Sequence, residues 1–186
     1  MASDIPLLHG LRGAGLCLRP FDLSDAEAFA AATRESVATV GRWMPWCCSD
    51  YSADDARAWF EECDQAWQQR SGFEFGVFAD DGIELLGGAG LNQFNLDHNF
   101  CNLGYWVRES RQGRGIATRV VGLLADFGFR VLRLGRIEIV IAVDNAASSA
   151  VARKAGAQFE GIARNRLVIG GVALDAALHS LVAPPP

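Results

Sequence analysis

Residues 104–118 carry the most informative chemistry in the chain: Gly104-Tyr105-Trp106-Val107-Arg108-Glu109-Ser110-Arg111-Gln112-Gly113-Arg114-Gly115-Ile116-Ala117-Thr118. A strand pattern enters a turn with two glycines, and an amphipathic helix leaves it. The first amides of a helix have no partner within it, and the helix dipole adds about half a positive charge at the same end. Such a turn gathers N–H groups around one anion, most naturally a phosphate. Arg108, Arg111, Arg114 and Arg119 stand against one local acid, Glu109, and an arginine beside phosphate adds a charge-assisted hydrogen bond. The plainer alternative is a strand-to-helix turn tightened by glycine. Two other phosphate loops do not fit. G-x-x-x-x-G-K-S/T is absent. G-x-G-x-x-G fails at Thr118, and it belongs in a leading β-α-β unit, whereas this turn comes late.

The elements that must position this turn are readable in outline. Residues 16–19 alternate and stop at Pro20, which predicts a first strand. Ser24-Asp25-Ala26-Glu27 has the capping-box pattern and opens an alanine-rich helix to about residue 36. Ser52-Ala53-Asp54-Asp55 opens a second helix, with Ala56, Trp59, Phe60, Cys63 and Trp67 on one apolar face. Strands are expected over 73–78, ended by Asp80-Asp81-Gly82, then over 84–91 and 102–108. Gly87, Gly88 and Gly90 inside the second of these suggest a bulge or a close backbone approach. The helix after the glycine turn covers about 116–129. Residues 136–143 are apolar and β-branched enough for one buried strand. Asn145 can cap a helix that runs to Lys154 and stops at Gly156. Two strands, 166–169 and 174–182, close the chain around Gly170-Gly171. The order is mixed α/β, a sheet layered with helices.

Composition narrows the function classes. A chain of 186 residues, half of them apolar, is expected to form one domain over 1–186, with its core at about 16–182. The net charge of −5 argues against nucleic acid or an anionic membrane as a partner, since both need a cationic footprint; it suits a cationic amine. Residues 1–10 lack the basic start and apolar run of a signal peptide, and no apolar run approaches the roughly 18–20 residues of a membrane span. A soluble, cytoplasmic protein is the expectation. The closing Pro184-Pro185-Pro186 cannot extend a strand or helix. Cys17, Cys47, Cys48, Cys63 and Cys101 have no metal-type spacing and read as reduced thiols. His9, His98 and His179 are far apart, so no metal site is expected.

Gln112-Gly113-Arg114-Gly115-Ile116-Ala117 fits Q/R-x-x-G-x-G/A, and in this respect the turn resembles the acetyl-CoA pyrophosphate loop of the GCN5-related N-acetyltransferases (GNAT). Residues from about 16 to 182 resemble the ribosomal-protein N-terminal acetyltransferase branch, the RimJ/RimL-like enzymes. The matching pieces are Leu18-Arg19-Pro20, Trp43 and Trp46 with Pro45, residues 87–91, Gly104-Tyr105-Trp106, Asp144-Asn145-Ala146-Ala147-Ser148, Lys154-Ala155-Gly156 and Glu160-Gly161. The resemblance implies a single GNAT-type domain with a mostly antiparallel central sheet and helices on both faces. Its fourth and fifth strands, here 102–108 and 136–143, splay apart. It implies acetyl-CoA as co-substrate, with Gln112, Gly113, Arg114, Gly115, Ile116, Ala117 and Thr118 at the pyrophosphate and Trp106 and Val107 along the pantetheine arm. Asn145 faces the coenzyme in the family, and it can cap its helix as well.

The implied reaction is attack of a primary amine on the thioester. The acceptor is expected to be a protein or peptide N-terminal α-amine. The alternatives are a small-molecule amine, another acyl donor, or a catalytically weak acyl-CoA-binding module; a homodimer is a further expectation. Ser148 matches the serine offered to the departing thiolate, although a serine in a first helical turn often only caps. Many GNAT enzymes place a tyrosine where this chain has Ala152, so no tyrosine is expected to compete. Trp43 and Trp46 fall in the region that the family places beside the acceptor groove, but tryptophans at short spacing are also core residues. Asn92 is either an acceptor contact or a turn residue. Many relatives carry glutamate where Asn102 stands, and some carry one near Leu167; both are missing. Asn102 can orient a water but cannot take a proton. Glu74, Glu84, Asp97 and Glu138 remain as carboxylates, and a water relay is the expected route for the proton.

Overall fold

Alternating apolar residues build one twisted sheet from eight strands among residues 10–183, the part that the computed structural model describes. Residues 1–9 and 184–186 lie outside the described residues, and with them His9, the segment weighed against a signal peptide and the terminal prolines. The strands are β1 (Leu11–Gly13), β2 (Leu16–Arg19), β3 (Phe73–Ala79), β4 (Leu85–Asn95), β5 (Phe100–Val107), β6 (Arg136–Ala142), β7 (Gln158–Ile169) and β8 (Val172–Val182). Their order across the sheet is β1-β2-β3-β4-β5-β6-β8-β7. Every neighbouring pair is antiparallel except β5 and β6, which run parallel. The helices are α1 (Ala26–Glu35), α2 (Ala53–Gln69), α3 (Ile116–Asp126) and α4 (Ala146–Lys154).

Strand periodicity splits the core in two. Leu16, Leu18, Phe75, Val77 and Leu103 join Val120, Val121 and Leu124 of α3 on one face. Ala152 of α4 belongs to the same cluster. Cys17, Phe78, Leu85 and Trp106 point the other way and meet Phe29 of α1 and Phe60 of α2. Each fully buried leucine, valine or phenylalanine stabilises this arrangement by about 1.5–3 kcal/mol. The five cysteines are free. No helix among the described residues is long and apolar enough to cross a membrane.

The structure departs from the sequence reading at several elements. β1 was not expected. It pairs with β2 across Ala14-Gly15, both at positive φ (51° and 73°), a turn without the usual Asn-Gly signal. The extra strand makes the splayed pair β5 and β6 rather than fourth and fifth. The capping box before α1 is Asp22 with Asp25, not Ser24 with Glu27: Asp22 Oδ1 accepts from the Ser24 N–H at 2.9 Å, and Asp25 accepts back from the Asp22 N–H at 2.8 Å. The Arg19 guanidinium then holds Asp25 at 2.7 and 2.8 Å. On α2, Ala56, Phe60 and Cys63 are buried as patterned, whereas Trp59 is exposed. α3 ends at Asp126, and a wider π turn carries on through Val131. β7 is three times as long as expected, 12 residues. It lies at the sheet edge with most side chains exposed, so it has no burial pattern to read.

One tie fixes the glycine turn to the frame. Glu35 at the end of α1 accepts from the Arg108 guanidinium and, at 2.7 Å, from the Ser110 N–H. Ser36 Oγ accepts from the Glu109 N–H at 3.0 Å. Arg108 lowers the Glu35 carboxyl from its ordinary 4.5 to about 2. A depressed acid stabilises the fold above its unfolded value and loses that contribution as pH falls through the folded one. Glu35→Gln should therefore lower unfolding free energy in urea by about 1–3 kcal/mol at pH 7, with the gap to wild type narrowing steadily below pH 4.5. A gap independent of pH would mean that the ion pair contributes nothing.

Candidate active site

β5 and β6 are paired only through Phe100↔Arg136, Cys101↔Ile137 and Asn102↔Glu138. Beyond those three pairs the strands part, since each is held by its other neighbour: Leu103 through Val107 by β4, and β6 along its length by β8. The wedge opens into a cavity of about 770 Å³ lined by residues 103–107 and 139–142, the turn before α3, and the start of α4.

The glycine turn forms one end of this cavity. Gln112, Gly113, Gly115, Ile116, Ala117 and Thr118 line it. Gly113 and Gly115 have φ of 74° and 70°, in the left-handed region, where glycine carries no steric cost. A Cβ at either position would meet no atom within 4 Å, so both glycines border open space. No side chain caps the start of α3, which leaves its first amides available. The four arginines expected to make this turn basic are mostly engaged. Arg108 is tied to Glu35, Arg111 pairs with Glu84 at 2.5 Å, and Arg119 donates to the Ala14 carbonyl at 2.5 Å. Arg114 is exposed, outside the cavity wall, and reaches the Ser110 carbonyl at 3.4 Å. Gln112 clamps the turn to the strand, donating to the Val107 carbonyl at 2.9 Å and to Thr39 Oγ1 at 3.1 Å. Arg42, Arg111 and Lys154 also line the cavity, so an anion there meets basic side chains as well as the amides and dipole of α3.

At the other end, Asn145 caps α4 by accepting from the Ser148 N–H at 3.0 Å, and both residues line the cavity. The Ser148 hydroxyl lies 2.8 Å from the Tyr105 hydroxyl, which is also 3.1 Å from the Ser148 carbonyl. The sequence expectation of no competing tyrosine rests on Ala152 in α4; a tyrosine does reach this serine from outside that helix, Tyr105 on β5, 43 residues away. Burial pushes the Tyr105 phenol up to about 12, against the pull of its Ser148 bond, so it stays protonated at neutral pH. The pair is a hydroxyl relay able to donate a proton into the wedge.

A second cavity of about 460 Å³ lies on the α1/α2 face. It shares Met44, Gly104, Tyr105 and Trp106 with the first. Phe21, Phe29, Trp46, Tyr51 and Trp59 supply aromatic walls, and Asp55, Glu62 and Glu74 supply carboxylates. Trp46 stands edge-on to Trp106 at 5.5 Å. Of the residues expected at an acceptor groove, Trp46 and Asn92 line this cavity. Trp43 does not: it lines the larger cavity, with the Arg42 guanidinium 4.6 Å above its ring. Asn102 lines neither cavity and instead donates to Asn92 Oδ1 at 3.0 Å. The β4 glycines mark close approaches. A Cβ at Gly87 would lie 2.1 Å from the Trp106 carbonyl oxygen, and one at Gly88 2.6 Å from the Trp106 indole nitrogen. Among the described residues, no group of three or more histidine, cysteine or acidic side chains is placed to hold a metal.

The family model described as the acetyltransferase (GNAT) domain matches residues 15–158. The chain is 29% identical over 169 residues to YoaA of Bacillus subtilis strain 168, an uncharacterized N-acetyltransferase, covering 91% of this chain and 94% of that protein. It is 29% identical over 133 residues to the spermidine N(1)-acetyltransferase of Escherichia coli K12, covering 66% of this chain and 70% of that one. Among solved structures it is similar to Mycobacterium smegmatis RimJ in complex with CoA-disulfide, with a TM-score of 0.83, 25% identity and coverage of 90% and 82%.

The open space over Gly115 gives a direct test. Gly115→Val forces a β-branched residue to φ 70° and projects it into the cavity. Titration calorimetry with coenzyme A should show at least about a tenfold loss of affinity, worth about 1.4 kcal/mol, in a protein that still unfolds cooperatively. Undiminished affinity would place the pyrophosphate elsewhere.

Proposed function

The chain belongs to the GNAT acetyltransferase family, and from that premise we propose that it is one of the RimJ/RimL-like enzymes and transfers an acetyl group from acetyl-CoA to the α-amine of a protein or peptide N-terminus. The observation that carries this reading is the junction at Gly104 and Tyr105, where the wedge cavity on one side of β5 meets the aromatic, acidic cavity on the other. In this reading the first amides of α3 and the turn at Gly113 and Gly115 hold the pyrophosphate. The unpaired edges of β5 and β6 face the pantetheine amides beside Trp106 and Val107. The amine enters from the α1/α2 face past Trp46 and Asn92, toward three carboxylates and no basic side chain among the described wall residues. The likeness to the ribosomal protein uS5-alanine N-acetyltransferase of Escherichia coli K12 supports a protein acceptor.

A small polyamine is the second reading. It is favoured by the compact 460 Å³ volume of the acidic cavity and by the likeness to a spermidine acetyltransferase. Coenzyme A release measured with α-amine peptides against spermidine, at equal concentrations and pH 7, separates the two. The first reading predicts the higher kcat/KM with the peptides.

Ser148 with Tyr105 is the proposed proton source for the departing thiolate. Ser148→Ala should lower kcat by about 10²–10⁴-fold with little change in the KM for acetyl-CoA. Tyr105→Phe, which keeps the packing and removes the second hydroxyl, should lower kcat in the same direction. Normal turnover by both variants would leave the pair a structural bond between β5 and α4.

A further inference from the structure

We propose that Glu74 holds the acceptor's ammonium group and takes its proton, so that the chain has a general base of its own in place of a water relay. The assignment rests on reading the 460 Å³ cavity as the acceptor site. Four carboxylates compete for the role, and the structure separates them. Glu84 is paired with Arg111, and Glu138 with Arg136 at 3.0 Å. Asp97 is exposed in the β4–β5 turn. Glu74 alone of the four lines the cavity.

Its placement follows from strand alternation. Phe73 and Phe75 pack into the α3-side core, so Glu74 between them faces α1 and α2. Gly90 on the neighbouring strand makes room for the carboxylate, since a Cβ there would lie 2.0 Å from Glu74 Oε2. Asn92 donates to Glu74 Oε1 at 2.9 Å, and Asn102 donates to Asn92 Oδ1 at 3.0 Å. The second bond turns the Asn92 amide so that its NH₂ points at Glu74. Asn102 is thus a positioning residue, acting through Asn92. Glu74 Oε2 has no hydrogen-bond donor among the described residues.

The groups facing Glu74 supply no counter-charge. From α2 come Asp55, Glu62 and the Cys63 thiol, which burial together with Glu74 and Glu62 pushes up; the remaining walls add the Tyr51 phenol. Asp55 is occupied as the cap partner of Ser52. A partly buried carboxylate without a cation is costly, and an incoming ammonium supplies the missing one. Burial pushes the Glu74 pKa above the ordinary carboxylate value, against the Asn92 bond, which improves it as a base near neutral pH.

The protons balance as follows. Glu74 takes one proton from the ammonium, which frees the nitrogen lone pair to form the C–N bond at the thioester carbon. The nitrogen loses a second proton as the C–S bond breaks. The sulfur gains one from Ser148, which recovers it from that second proton by way of water. Glu74 releases its proton through the cavity mouth, so one proton per turnover reaches solvent.

Glu74→Gln keeps the shape and the Asn92 contact and removes an unpaired charge, so its melting temperature should not fall. Its kcat/KM for an α-amine peptide at pH 7 should drop by about 10²–10⁴-fold, while coenzyme A affinity by calorimetry stays unchanged. With an acceptor amine of low basicity, already neutral at pH 7, the loss should shrink to within about tenfold. The wild-type lower pH limb, set above the ordinary carboxylate range, should disappear from the variant. A Gln variant that keeps more than a tenth of wild-type kcat/KM, or whose defect is equal for both acceptors, would overturn the proposal. Ala58→Trp, which fills the same cavity from α2, identifies what has failed. If it raises the acceptor KM while Glu74→Gln is active, the cavity is the acceptor site and Glu74 is not its base. If neither variant has an effect, the cavity reading falls together with the proposal.

Discussion

The pairing of β5 with β6 ends after three residues, and the rest of the structure is arranged around that divergence. Unpaired backbone N–H and C=O groups inside a protein are costly unless something satisfies them. Here two strand edges are left open toward each other, because antiparallel partners on the far side hold both strands in place. A ligand that carries amides of its own, as pantetheine does, completes what the sheet leaves undone. The parallel direction of this pair also requires a crossover. That crossover is the glycine turn and α3, which brings a capless helix start to the end of the wedge.

The face alternation of β5 then divides the labour. Tyr105 points to the α4 side and meets Ser148, while Trp106 points to the α1 side and meets Phe29 and Trp46. Gly104 has no side chain, and a Cβ there would meet nothing within 4 Å. Gly104 lines both cavities. The carboxylate of Glu74 and the hydroxyl of Ser148 thereby fall on opposite sides of one strand. An amine and a thioester approaching from opposite faces would find a proton acceptor on one side and a proton donor on the other.

Much of this was legible in the sequence where the determinant is local. The glycine turn, the Ser52 and Asn145 caps and the Gly170-Gly171 hairpin are each encoded within about six residues, and each appears at its expected place. Determinants that depend on distant partners were not legible. Tyr105 and Ser148 are 43 residues apart. The arginines around the turn look free until Glu35 and Glu84 arrive from other elements. Trp43 and Trp46 are three residues apart yet line different cavities. Glu74 could have been singled out among the carboxylates by one signal: it interrupts Phe73 and Phe75 opposite Gly90, a charge on a strand next to a missing side chain. The β1 hairpin and the extended β7 lacked turn chemistry or burial periodicity, and pattern reading has no purchase there.

The central claim is that the two cavities are halves of one site joined at β5. It is tested most directly with a conjugate in which coenzyme A sulfur is joined, through an acetyl-length amide bridge, to the α-nitrogen of a short peptide. Titration calorimetry at pH 7 should give the conjugate at least about 100-fold higher affinity than coenzyme A alone, because its second half binds at high effective concentration once the first is seated. An affinity equal to that of coenzyme A would show that the acceptor half has nowhere to go, and that the aromatic cavity is not part of the acyl-transfer site.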